Sequence, residues 1–320
     1  MSGTIKVEAH ARLHVCLMDM NGSIGRVDGS VGIALSQPVI RVAARLSERE
    51  ALHEELRPFA KRYFHTVQRT VSVELNLEEC FERHVGLGST TQLALSVGRS
   101  LSEAMGLDFG VRELARIMGR GGTSGIGVAA FEGGGSLIVD GGHRFGSMGK
   151  IGFTPSDYTD GLEPAKPIVK MCLPTDWRFV VAVPKGGRRV YGESERSAFD
   201  MLAPIPSEEV GLTSRIVLLK LLPAAVEGEL EEFGEALNML QKTGFKKREL
   251  ELQPQPVRDL MVEGLRHGAA GAGMSSFGPT IYFLVRGDKE AARLAGDIHH
   301  LVDKNYVCSP WSGGARLIRD

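Results

Sequence analysis

The chain has 320 residues, 42% of them hydrophobic, which is enough to bury a sizeable core and favours two domains over one. With 38 basic and 39 acidic residues the net charge is −1, so no overall field draws nucleic acid or an anionic membrane, and an anionic ligand has to be held by a local pocket. Cys16, Cys80, Cys172 and Cys308 stand far apart without a C-x-x-C pair, which argues against a zinc knuckle and a disulfide framework and predicts reduced, mostly buried thiols.

Residues 4–14 alternate strictly, with Ile5, Val7, Ala9, Ala11 and Leu13 on one side and Lys6, Glu8, His10, Arg12 and His14 on the other, the pattern of a half-buried strand. No apolar run reaches the length of a membrane span or a signal-peptide core, so a cytoplasmic protein without a membrane partner is expected. A glycine-rich loop, GSIGRVDGS, leads into a second strand, RVAARL extends the sheet, and residues 50–66 read as a helix. Leu93, Val97, Leu101 and Ala104 then mark one face of a helix that Gly106 stops. Asp108 is expected to cap a further helix ending at Gly119, followed by the glycine loop RGGTSGIG and a hairpin around Asp140-Gly141-Gly142. Composition shifts at GFTPSDYTDGLEPAKP, which divides the chain into residues 1–168 and 169–320. In the second part WRFVVAVP is a buried strand, and helices are expected at 213–222 and 227–242 with Pro223 between them. A helix near 256–266 ends at Gly268, and TIYFLV followed by DKEAARLAGDIHHLV predicts a strand and then a helix.

The stretch HVGLGSTTQLALSVG places two glycines and three hydroxyl residues at a helix start, where free N–H groups and a partial positive charge suit a phosphate. Gly86 and Gly88 let the backbone close around phosphate oxygens, while Ser89, Thr90 and Thr91 add hydroxyl donors or a magnesium ligand. A P-loop would need a lysine here and none is present, so binding and transfer of the phosphate are separate questions. His10 and His14 share a strand face but lack further ligands for a metal, and His299 and His300 read as packing and surface. Trp311 is suited either to stacking on an aromatic substrate or to covering the core.

Three motifs in this order, ARLHVCLMDMNGSIGRVDGSVGIAL, GLGSTTQLAL and GAAGAGMSSFGPTIYFLV, resemble the galactokinase, homoserine kinase, mevalonate kinase and phosphomevalonate kinase (GHMP) superfamily over nearly the full chain. The resemblance implies an α+β, two-domain GHMP-kinase-like fold, with an N-terminal mixed sheet and a C-terminal ferredoxin-like α/β sandwich. Several of those kinases have a sequence close to Gly-x-x-Ser-Gly-Ile-Asp, whose aspartate orients or deprotonates the attacking hydroxyl. GGTSGIGVAAFEGG puts Gly127 at that position, and a glycine cannot act as a base. The first motif and GRGGTSGIGVAAFEGGG look more like a non-kinase branch, the β-ribofuranosylaminobenzene 5′-phosphate synthases of methanopterin biosynthesis.

That resemblance implies a decarboxylating C-ribosyl transfer: 5-phosphoribosyl 1-pyrophosphate and 4-aminobenzoate or 4-hydroxybenzoate combine with loss of pyrophosphate and carbon dioxide. Mg2+, no requirement for ATP and a homodimer are the accompanying expectations. The phosphate cradle is assigned to Gly86, Gly88, Ser89, Thr90 and Thr91, with Gly271, Gly273, Ser275 and Ser276 from the third motif and Arg12 beside the leaving group. Asp19 and Arg26, seven residues apart across the NGSIG turn, are the expected catalytic pair. Asp19 is assigned to magnesium or the ribosyl cation, and Arg26 to the benzoate carboxylate or a phosphate. A small-molecule kinase of the same fold is the alternative.

Overall fold

A computed structural model of the chain describes residues 3–147, 149–159 and 161–319. Two long antiparallel strands, β1 (Ile5–Asp19) and β2 (Arg26–Leu46), form the spine of the first sheet. The chain continues through β3 (Ala51–Leu52), α1 (Arg57–Val67), β4 (Val73–Glu79), α2 (Ser89–Ala104), α3 (Val111–Ile117) and α4 (Ile126–Glu132). It then forms β5 (Leu137–Asp140), β6 (His143–Arg144) and β7 (Pro167–Met171). The parallel pairing of β3 with β4 makes this sheet mixed, and β5 joins it by pairing with both β2 and β7.

The second layer begins with β8 (Trp177–Pro184), followed by α5 (Glu193–Leu202), α6 (Ser207–Ile216), α7 (Leu222–Glu227), α8 (Leu230–Leu240), α9 (Gly244–Glu251) and α10 (Gln255–Arg266). After them come β9 (Gly271–Met274), β10 (Ile281–Arg286), α11 (Gly287–Asp297), β11 (Val302–Cys308) and β12 (Arg316–Arg319). The order β11-β8-β10-β9 defines a separate antiparallel sheet, whereas β12 returns to pair with β1 in the first. Among the described residues no helix is long and apolar enough to cross a membrane.

The polar side of β1 is more covered than its alternation predicts. Glu8, His10 and His14 are 8%, 5% and 4% exposed, because segments of the second half lie on that face. Two bulges, between His10 and Arg12 and between His14 and Cys16, interrupt the β1–β2 register and re-aim the residues they bracket. Cys16 and Cys308 are buried, but Cys172 is exposed and Cys80 partly so; all four are free thiols.

Several helical expectations shift. α1 starts at residue 57, after a short strand and a 3₁₀ turn, and the cap of α3 is Gly110 rather than Asp108. Pro223 does not separate two helices. A π-helical stretch, Val217–Leu221, carries the chain from α6 into α7, and Pro223 stands in the first turn of α7. Gly228, in the left-handed conformation, ends that run. The last helix stops at Asp297, and His299 and His300 lie in a 3₁₀ turn.

Candidate active site

The phosphate motif folds as its spacing predicts. Gly88, at φ 84°, is the N-cap of α2, and Leu93, Val97 and Leu101 bury that helix against the first sheet. The loop is held against the third motif by one hydroxyl: Ser275 Oγ donates to the Gly86 carbonyl at 2.8 Å and accepts from the His14 amide at 2.9 Å. Thr280 N donates to Val85 O at 3.2 Å, and Ser276 N to His14 O at 2.9 Å. The three motifs therefore converge. Gly86 is needed at this crossing, since its φ is 94° and a Cβ would strike the Ser275 carbonyl.

A cleft opens along this crossing, between the two layers. Its outer part is lined by Gly86, Gly88, Ser89, Thr90 and Thr91 together with His84 and Tyr191, whose rings stack at 4.2 Å across the mouth. Its inner part has apolar walls, Leu17, Phe199 and Phe277, and polar groups from Thr123, Ser124 and Glu249. Thr91 and Phe277 line both parts, as do Arg12, Arg120, Asp157, Glu195 and Ser276, which form the seam. One end is thus a cradle of amides and hydroxyls, the other a mainly polar slot with an apolar wall of Leu17, Phe199 and Phe277, and two guanidinium groups lie between them.

The seam is tightly wired. Arg12 donates to Gly86 O at 2.6 Å, and burial, with Arg120 nearby, lowers its pKa to about 10, so it stays cationic near neutrality. Arg120 donates to Thr91 Oγ1 at 3.2 Å and pairs with Asp157. Burial first, and then the neighbouring Asp157, push the Glu195 carboxyl up to about 7. Beneath the slot, Lys246 and Glu249 form an ion pair at 2.5 Å, each 1% exposed, and Lys246 also donates to Ser276 O at 2.8 Å. Burial, with Lys246 and Arg12 close by, holds the His14 imidazole neutral, and its Nδ1 is buried without a hydrogen bond.

Asp19 and Arg26 are not brought to the lining of this cleft. Asp19 Oδ1 accepts from the amides of Asn21 at 2.8 Å and Gly22 at 2.9 Å, fixing the turn after β1. Arg26 is exposed and donates to the carbonyls of Gly141 at 2.8 Å and Gly142 at 3.0 Å. Next to those carbonyls, Asp140 accepts from the amides of Gly142 and Gly125, both at 2.9 Å, at the end of the loop that leads into α4 and Gly127. Behind that loop Asp28 holds Lys150 at 3.0 Å and His143 at 2.7 Å, and Lys150 reaches Thr123 Oγ1 at 3.2 Å. Gly271 and Gly273 lie in β9, where Gly234 of α8 and Tyr282 leave no room for a side chain. Trp311 stacks on His10 at 4.5 Å, apart from the cleft, with Arg316 over its ring.

Arg120, Asp157, Glu195, Glu249 and Lys246 escape the sequence reading. Only Arg120, next to the GGTSG loop, stands near a recognisable signal; α5 and α9, which carry three of the others, have no motif.

Fold and cleft together define a protein of the GHMP kinase type. Residues 42–135 match the GHMP kinases N terminal domain and residues 221–301 the GHMP kinases C terminal family. Homoserine kinase from Cytophaga hutchinsonii superposes with a TM-score of 0.70 at 18% identity, covering 99% of this chain and 98% of that one. Mevalonate diphosphate decarboxylase from Enterococcus faecalis superposes with a TM-score of 0.64 at 12% identity over the whole of both chains. These likenesses establish the fold alone.

Within that fold, the chain belongs to the β-ribofuranosylphenol 5′-phosphate synthase family. It is 40% identical to the Archaeoglobus fulgidus member over 95% of each chain. It is 41% identical to the Methanocaldococcus jannaschii member over 89% of this chain and 90% of that one. It is an enzyme, a ribosyl-transferring synthase built on a kinase fold.

Proposed function

We propose that the chain joins C1 of 5-phosphoribosyl 1-pyrophosphate to the carboxylate-bearing ring carbon of 4-hydroxybenzoate, as a step of tetrahydromethanopterin biosynthesis. The product is β-ribofuranosylphenol 5′-phosphate, and pyrophosphate and carbon dioxide are released. 4-Aminobenzoate is the amino analogue; the phenol in the relatives' name favours the hydroxyl acceptor. The observation that carries the reading is the two-part cleft, a cradle of amides and hydroxyls and a slot walled by Leu17, Phe199 and Phe277, meeting at Arg12 and Arg120.

The donor's phosphates suit the start of α2 and its hydroxyls. Arg12 and Arg120 face the charge that develops on the leaving pyrophosphate, and Leu17, Phe199 and Phe277 hold the benzoate ring and keep water away. The C1–O bond breaks with its electron pair leaving on pyrophosphate, while a ring π pair forms the C–C bond to C1. The ring then expels carbon dioxide, and the pair from that bond restores aromaticity. Among the described residues no group of three or more His, Cys, Asp or Glu is arranged to hold a metal, and Asp19 Oδ1 already accepts two amides. The residues do not fit a resident metal cage, so we assign Mg2+ to the diphosphate of the donor, which it accompanies as part of the substrate. A homodimer acting in the cytoplasm completes the proposal.

The kinase alternative has no base at Gly127, the position of the aspartate that several of those kinases use. A Cβ there would lie 3.0 Å from the Thr91 methyl, and Gln92 Nε2 donates to the Gly127 carbonyl at 2.9 Å, so the first turn of α4 packs directly on α2. The test is release of labelled carbon dioxide from carboxyl-labelled 4-hydroxybenzoate and 4-aminobenzoate, with and without the phosphoribosyl donor. Donor-dependent release is expected, with 4-hydroxybenzoate the better acceptor. Turnover of ATP to ADP with no carbon dioxide released would hand the site to a kinase.

A further inference from the structure

Bond formation joins the ligand of the cradle to the ligand of the slot, so the ribosyl C1 must lie at the seam between them. The seam carries two carboxylates, Asp157 and Glu195. Asp157 is committed to Arg120, and the deeper Glu249 to Lys246. Glu195, on the first turn of α5, has no hydrogen bond or salt bridge of its own among the described residues. Among the described residues it is the one carboxylate of the seam left to face a ligand.

Resting on the C-ribosyl transfer described above, we propose that Glu195 is a catalytic residue whose carboxylate faces C1 of the donor and stabilises the ribosyl cation as pyrophosphate departs. Cleavage of the C1–O bond leaves the electron pair on pyrophosphate and positive charge shared between C1 and the ring oxygen. A fixed carboxylate on the cation side and guanidinium groups on the leaving-group side stabilise that separation of charge, and in a shielded site each acts more strongly than in water. No proton is transferred to Glu195. The charged groups facing it are Asp157, Arg120, Glu249 and Arg12. The ionised form is the active one, and the carboxyl titrates at about 7, so activity rises with pH through that region.

The experiment uses the full chain with Glu195→Gln and Glu195→Asp, either benzoate as acceptor, and melting curves to verify folding. Glu195→Gln is expected to lower kcat about 10²-fold or more with both acceptors alike, with little change in donor KM. The wild-type profile of kcat/KM should show a limb near pH 7 that is lost in Glu195→Gln. The aspartate variant should recover about tenfold of the lost rate, since it restores the charge at a longer distance. Loss confined to 4-hydroxybenzoate would overturn the proposal by making Glu195 the base for the phenol. Recovery of Glu195→Gln by excess Mg2+ would overturn it by making the residue a metal ligand, and an unchanged pH limb would remove it from the chemistry. If only one acceptor turns over, the pH limb and the aspartate rescue decide. Wild-type protein releasing no carbon dioxide from either benzoate is the separate failure of the underlying transfer reading.

Discussion

The two ends of the cleft are built from different materials. The cradle comes from one contiguous stretch, Gly86–Thr91, and presents backbone amides and short hydroxyls, groups that suit a phosphate. The slot and seam are assembled from side chains of β1, the loops around residues 120–127 and 155–157, α5, α9 and the turn at 275–277. Backbone recognition requires glycines at fixed spacing and so leaves a local trace in the sequence. Side-chain recognition requires only that distant residues meet, so no single segment records it.

The sharpest way to break that contrast is Arg120→Met. Arg120 contacts both Thr91 of the cradle and Asp157 of the seam, so its loss removes positive charge where the two ends join. Turnover is expected to fall about 10²- to 10³-fold with a small change in melting temperature. Steady-state carbon dioxide release beside a melting curve measures both, and near-normal turnover would remove the seam from the reaction.

Gly86→Ala probes the cradle itself. Its positive φ and the Ser275 carbonyl leave no place for a methyl, so the two loops must part. The expected cost is about 1–3 kcal/mol of stability together with a raised donor KM and a smaller change in kcat. Unchanged denaturant midpoint and KM would show that the crossing is looser than its hydrogen bonds indicate.

The smallest effect is expected at Arg26. Arg26→Lys keeps the charge but gives up the fork that spans Gly141 and Gly142, so the loop from Gly125 loosens behind the slot. Turnover should fall about tenfold, with a parallel loss of thermal stability. A loss as deep as that of Arg120→Met at an unchanged melting curve would instead return Arg26 and Asp19 to the reaction centre.

What was legible follows the same division. The first strand, the helix from Ser89 to Ala104 and the strand and helix around residues 281–297 each rest on periodicity that packing then uses. α4 was hidden because Gly125 and Gly127 make its first turn look like a loop, although those glycines serve close approaches to Ala165 and Thr91. Pro223 does not break the run because the π-helical stretch before it carries the chain through. Asp19 and Arg26 lie in a polar, glycine-rich turn, which is a plausible place for chemistry. Their partners are backbone groups that no sequence pattern announces.

The clasp formed by Ser275 has a consequence for how the molecule is made. His14, Gly86 and Ser275 come from three distant parts of the chain, and β1, which carries Arg12 and His14, also pairs along its early residues with Arg316–Arg319. Loop closures of that length are slow, because entropy is lost before the contacts that reward it form. Until Arg316–Arg319 has been made, the early part of β1 keeps an edge that can pair with other chains. The cleft therefore closes only once the segment carrying Ser275 has been made.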